Sequence, residues 1–259
     1  WSSSTASDRP GDPLRSRADQ GPLAGQLALG HVEGDRQGQV SDALRSIAGL
    51  VALDEGIITV QTILTPDASG VSFRIYSQVE GADRWATHVS GRIIAAGVHA
   101  PMPPGESIEA IQRRADRVVE ADEHDARMNE RGLVFGASLR NVHRVWTAAA
   151  DAAGAHGGEA LGEIALAPRE AAESRRYVVH PALLDAAIQV LAGVAASGPD
   201  TYLPISVDRV ATFVPPGVAA VRAWSHAVLR AGVDLAARPE TIAADVMLLD
   251  PAGAVLAVV

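Results

Sequence analysis

The chain has 259 residues, 47% of them hydrophobic, and a formal net charge of -9, enough apolar side chain for one large domain or two small ones. The acidic balance argues against nucleic acid, which needs a cationic face, and 4% aromatics leaves few rings for base stacking. The absence of cysteine excludes disulfides and thiolate-held metals, and no apolar stretch approaches a membrane span, so the expectation is a soluble, cytoplasmic protein with no membrane partner.

"WSSSTASDRPGDPLRSRADQG" (1–21) is polar and irregular, and it lacks the basic then apolar pattern of a signal peptide. The first residue is Trp rather than Met, so the chain is read as a piece of a longer one. From Pro22, "PLAGQLALGHVEGDR" predicts a helix with Pro in its first turn and Leu23 and Leu27 on one face. Gly25, Gly30 and Gly34 each cost it about 1 kcal/mol relative to Ala, so packing must hold it. Strands follow at "IITVQTIL" (57–64), after the turn "TPDASG" at "VSFRIYSQ" (71–78), and at "WATHVSGRIIA" (85–95). In the second of these Val71, Phe73 and Ile75 alternate with Ser72, Arg74 and Tyr76, the period of a half-buried strand. "PMPPGES" (101–107) breaks the chain. The charged run that follows is read as partly helical, ending at Gly132, with a solvated face or a carrier docking surface.

Strands are predicted at 142–150 and 159–166, then a helix at "HPALLDAAIQVLAG" (180–193), then strands at 218–230, 241–250 and 254–259. Ile242, Ala244, Val246 and Leu248 share one face. The fold class is α+β with antiparallel sheet. The domains are drawn as an N-terminal half at 1–100, a linker at 101–131 and a C-terminal half at 132–259. The helix at 180–193 keeps a carboxylate, Asp185, and an amide, Gln189, one turn apart on an otherwise apolar stripe.

That helix closely resembles the second active-site motif of dehydratase domains in modular type I polyketide synthases. "GLVFGASLRNVHRVW" (132–146) resembles the family's Tyr-Gly-Pro-x-Phe segment, "YLPISVDRV" (202–210) its Leu-Pro-Phe segment, and "DRWATHVSGRI" (83–93) the strand closing its first half. The resemblance covers most of residues 22–259. It implies a double hotdog fold, two helices each wrapped by antiparallel sheet, and removal of water from a β-hydroxyacyl thioester. The substrate would arrive on the phosphopantetheine arm of an acyl carrier protein, with no cofactor held by the domain itself. A His of the first half takes the α-proton and an Asp of the second protonates the departing hydroxyl, because the α-proton is weakly acidic and hydroxide is a poor leaving group. By this resemblance Asp185 is the acid, Gln189 positions it, and Phe135, Gly136, Leu203, Pro204 and Pro22 line the substrate. The partners implied are the carrier protein, neighbouring synthase domains and a second copy of the chain. The frequent Ala, Gly, Arg and Val fit a bacterial source.

The first family motif is His, three residues, Gly, four residues, Pro. With Pro22 as its closing Pro, Pro13 stands at the base position and Arg17 at the Gly. Proline has no titratable group, and arginine stays protonated near neutral pH. Phe135 replaces a Tyr, Ala137 a Pro and Leu139 a Phe, and Val207 stands where an aromatic is common. His31, at the far end of the weak helix, is the first substitute considered. His88, His99, His124, His143, His156, His180 and His226 are read as surface or structural. No His pair at ligand spacing points to a metal. The expectation is a dehydratase-like domain without normal dehydratase activity. The alternative is an active altered enzyme using Asp185: a dehydratase, a double-bond isomerase or an oxygen-ring-forming cyclase.

Overall fold

In a computed structural model of the chain, the described residues are 58–68, 70–94, 106–149, 158–195, 201–214, 218–230 and 233–259, with 27–32 described by backbone alone. The chain divides into two units, one holding 58–94 among its described residues, the other holding 27–32 and 106–259.

In the first unit, β2 (Ile58–Asp67), β3 (Gly70–Val79) and β4 (Ala86–Ile93) form an antiparallel sheet in that order. The β2–β3 register is unbroken from Ile58↔Val79 to Asp67↔Gly70, which leaves a two-residue connection. Gly70 sits at φ 146, and a Cβ there would overlap the Ile93 carbonyl, so only glycine fits the strand start. His88 is the extra residue of a bulge opposite Ile75 and Tyr76, and its Nε2 lies 2.7 Å from Ser77 Oγ. No helix occurs in this unit among the described residues.

The helix expected from Pro22 is contradicted over the part of it that is described. Its described part, Leu27–Val32, is a strand, β1, between β8 (Thr201–Val207) and β11 (Thr241–Leu249). Three glycines weaken the helical alternative, and a strand flanked on both sides has ladder partners for its backbone polar groups. His31 therefore pairs with Tyr202 in a sheet rather than ending a helix.

The second unit is built on one sheet. Its remaining strands are β5 (Arg117–Glu120), β6 (Val142–Ala148), β7 (Glu159–Ala165), β9 (Ala211–Thr212), β10 (Arg222–Leu229) and β12 (Val255–Val258). The order is β5-β6-β7-β10-β11-β1-β8, with β12 on the far half of β11 and β9 beside β12. Five α-helices accompany it among the described residues: α1 (Ile108–Arg114), α2 (Ala121–Glu130), α3 (Pro168–Glu173), α4 (Pro181–Gln189) and α5 (Ala192–Ala195).

Strand alternation sends Ile242, Ala244, Val246 and Leu248 of β11 to one face and Met247 and Leu249 to the other. The first face carries α4 and α5, with Ala182, Leu183, Ala186 and Ala187 of α4 buried together with Val190 and Leu191 between the two helices. The second carries α1, whose Ile108 and Ile111 pack with Leu161, Leu249, Trp146 and Trp224. The 101–131 stretch is thus no simple linker, since it supplies α1, the edge strand β5 and α2, with Val119 and Met128 buried. Its apolar residues are few but spaced to meet the sheet, and the many charges around them mask that pattern.

Helix α4 starts at Pro181, whose missing N–H costs nothing there. His180 caps it, its Nδ1 accepting from the Ala182 N–H at 3.2 Å. The helix sits close on the sheet because both surfaces are small: a Cβ at Gly162 of β7 would overlap Val190 Cγ2. Ser225 of β10 donates from Oγ to the Ala187 carbonyl at 2.8 Å.

Gly162→Ala is expected to destabilise the chain by about 1–3 kcal/mol through overpacking. Gly136→Ala, where a Cβ meets open space, is expected to stay within about 0.5 kcal/mol. Denaturant unfolding of both variants checks the contrast.

Candidate active site

Asp185 lies at the edge of the buried stripe of α4, half-buried, between Leu184 and the core residues Ala186 and Ala187. One turn later Gln189 is buried, and its Nε2 donates to Asp185 Oδ2 at 2.6 Å and to the Leu139 carbonyl at 3.0 Å. Burial pushes the Asp185 carboxyl above the usual carboxylate range, and the Gln189 donor draws it part of the way back. A carboxyl so placed can hold a proton at higher pH than a solvated one and keeps one oxygen oriented by the amide.

The Leu139 carbonyl is itself fixed from below. Leu139 ends a 3₁₀ turn, Ala137–Leu139, and two residues on lies Asn141, with no exposed surface. Asn141 Nδ2 donates to the Ser138 carbonyl at 2.8 Å and, at 3.5 Å, to Ala182 in the first turn of α4. Its Oδ1 accepts from the Ala167 N–H at 3.0 Å. One amide thus links the 133–141 loop, the approach to α3 and the start of α4. Sequence reasoning missed Asn141; a lone Asn between apolar strand residues was its only signal.

The other expected residues that are described lie on the 133–141 loop and on β8. Phe135 is half-buried, with its carbonyl held by Arg140 Nε at 2.9 Å. Gly136 is exposed at the head of the 3₁₀ turn. Leu203 is buried and Pro204 exposed on β8, a strand that packs against α5. Pro13, Arg17 and Pro22 lie outside the described residues, as do His99 and His156.

Among the imidazoles, His180 caps α4 and meets the Tyr177 ring edge-on at 4.8 Å between centroids. His143 is exposed. His226 is buried, its Nε2 2.9 Å from Glu159, which also pairs with Arg114. His124, read as surface or structural, is buried at 2% exposure on α2. Burial pushes its imidazole below the ordinary range, and the neighbouring Gln189 side chain opposes that shift. Its spacing with Met128, four residues apart within a charged run, is the signal that marks a packed face. Among the described residues no cluster of three His, Asp or Glu side chains is placed to hold a metal, and no single helix is long and apolar enough to cross a membrane.

A family model described as polyketide synthase dehydratase N-terminal domain matches residues 103–259. The chain is 31% identical over 173 residues to the spectinabilin polyketide synthase system protein NorA of Streptomyces orinoci, covering 64% of this chain and 8% of that protein. It is 28% identical over 214 residues to the mycoketide-CoA synthase of Mycobacterium tuberculosis, covering 78% and 5%. The chain therefore spans a small fraction of these relatives. The dehydratase domain from the CurK module of curacin polyketide synthase superposes with a TM-score of 0.65 at 22% identity, covering 95% of this chain and 74% of that one. Such likeness gives this chain the double hotdog fold.

The raised carboxyl has a consequence for stability. The native state holds the Asp185 proton more tightly than the unfolded chain, whose value is near 3.8. The group's stabilising contribution is therefore complete below that value and is lost as pH rises through the native one. Asp185→Asn, which cannot ionise, is expected to gain on the parent chain as pH is raised from 4 to 7. Paired Tm measurements across that range check it.

Proposed function

The chain belongs to the polyketide synthase dehydratase family, and on that premise we propose that it is a dehydratase-type domain that keeps the acid half of the site and lacks the base half. The substrate class is a β-hydroxyacyl thioester on the phosphopantetheine arm of an acyl carrier protein. Dehydration breaks the Cα–H and Cβ–O bonds, forms the enoyl double bond and releases water. The base takes the α-proton and the acid delivers one to the leaving hydroxyl.

The observation that carries the reading is the Asp185–Gln189 pair: a desolvated carboxyl, raised by burial, with one donor 2.6 Å away. That environment suits a proton donor. Asp185 and Gln189 are the acid and its positioning partner, and Phe135, Gly136, Leu203, Pro204 and Pro22 belong to the acyl and thioester path. On the other side of the reaction Pro13 cannot take a proton and Arg17 cannot give up its own near neutral pH. Loss of a general base costs about 10²–10⁴-fold. The domain works, in this reading, as a cytoplasmic part of a synthase module, beside a carrier protein and neighbouring domains, paired with a second copy and without a bound cofactor.

A second reading is favoured by the same raised carboxyl. Asp185 can deliver its proton to the substrate α-carbon and, once ionised, recover one from the γ-carbon in double-bond migration or from the attacking hydroxyl in oxygen-ring closure.

With a β-hydroxyacyl carrier-protein thioester the purified chain is expected to form no enoyl product above the buffer control, followed by mass spectrometry of the loaded carrier. Enoyl product that disappears with Asp185→Asn would overturn the first reading. For the second, an isomerised or cyclised product is expected to fall by about 10²–10⁴-fold in Asp185→Asn.

A further inference from the structure

The loop at 133–141 brings the Leu139 carbonyl to Gln189, yet apolar packing does little to hold that loop. Gly136, Ala137, Ser138, Leu139 and Arg140 are exposed, and Val134 is 76% exposed. A segment with so little buried apolar surface opens easily unless polar groups tie it down. Of residues 133–141 only Asn141 is buried. Its Oδ1 accepts from the Ala167 N–H at 3.0 Å. A backbone N–H has to meet the amide oxygen, and this turns the Asn141 NH2 toward the loop. There Nδ2 donates to the Ser138 carbonyl at 2.8 Å.

The Leu139 carbonyl belongs to the peptide that joins Leu139 to Arg140, and the chain is held on both sides of it. Before it, the Ser138 carbonyl is taken by Asn141 Nδ2 and the Leu139 N–H by the Gly136 carbonyl at 2.9 Å. After it, the Asn141 backbone carbonyl accepts from the Ala165 N–H at 3.0 Å. A planar peptide fixed at both flanks leaves its oxygen few directions.

We propose that Asn141 is a positioning residue for Asp185: it fixes the 137–139 turn from within, aims the Leu139 carbonyl at Gln189, and so sets the amide that donates to Asp185 Oδ2. The inference rests on the reading of Asp185 as the working acid and deepens it. Every link is a hydrogen bond: 2.8 Å from Asn141 to the Ser138 carbonyl, 3.0 Å from Gln189 to the Leu139 carbonyl, and 2.6 Å from Gln189 to Asp185. Asn141 has no exposed surface, so it is closed to substrate and acts only through these partners. The loop's other side-chain tie, from Arg140 Nε to the Phe135 carbonyl, is exposed, where water competes for both groups. A Gln189 amide that loses the Leu139 carbonyl is free to turn its oxygen toward the carboxylate, which sets two acceptors together.

The test uses the full 259-residue chain, ¹³C-carboxyl aspartate and an NMR titration, with the Asp185 signal assigned by Asp185→Asn. Gln189→Leu removes the donor and is expected to move the Asp185 midpoint upward. Asn141→Ala is expected to move it upward by at least half as much. Added to Gln189→Leu, it is expected to give no further shift, because both act through one amide. Ser225→Ala removes a different buried bond to α4, and it is expected to lower Tm and leave the midpoint at the parent value. An Asn141→Ala midpoint equal to the parent's would overturn the proposal. So would a shift that persists in the Gln189→Leu background, or one that Ser225→Ala matches. An unmoved Gln189→Leu overturns it as well, since the amide then has no hold on the acid. If Asn141→Ala does not fold, Asn141→Ser takes its place: its side chain is too short to join Ser138 to Ala167, and the same shift is expected. None of these readouts needs turnover, so they stand apart from the outcome of the dehydration assay.

Discussion

The close seating of α4 on its sheet is the constraint from which the rest of this structure follows. Gly162 leaves no room for a Cβ beneath Val190, and Ala182, Ala186 and Ala187 keep the helix surface shallow. A helix held at that distance has little freedom to roll or slide, because interiors are close-packed and small displacements meet hard contacts. Its side chains are aimed by the packing below them. Asp185 lies where the buried stripe gives way to the half-buried one, so the carboxyl is desolvated without being sealed off.

Polar groups then complete what packing begins. Asn141 ties the 133–141 loop to the first turn of α4, which places the Leu139 carbonyl within reach of Gln189. Ser225 does similar work at the other end of the helix through the Ala187 carbonyl. Such buried networks are costly when incomplete and specific when satisfied. Here they converge on one amide, whose orientation decides whether Asp185 faces a donor or an acceptor. A charge held out of water is a poor investment in stability, and Asp185 illustrates why such groups gather at sites of function.

The two faces of the sheet carry different burdens. One holds α4 and α5 with the candidate acid. The other is closed by α1, through Ile108, Ile111 and the tryptophans, with Arg114 bridging Glu106 and Glu159 at its margin. The edge strand β5 and helix α2 extend this sheet and bring His124 and Met128 inward. The stretch that looks most like a linker in composition is in this way part of the sheet's frame.

The sequence alone determined the three strands of the first unit, the strands β6, β7, β10, β11 and β12 of the second and the helix beginning at 180, because periods of two and of 3.6 are local properties of the apolar pattern. It also determined that Asp185 and Gln189 share a helical stripe, since four residues make one turn. Only the tertiary structure decided that Leu27–Val32 is a strand, because its pairing partners on β8 and β11 lie far along the chain. It alone decided that His124 is buried and that Asn141 clamps the loop. These depend on where distant elements meet, and a charged or isolated polar residue carries no periodic mark of the surface it will face. The proton affinity of Asp185 is of the same kind: residue type sets its ordinary range, and burial by the folded chain moves it.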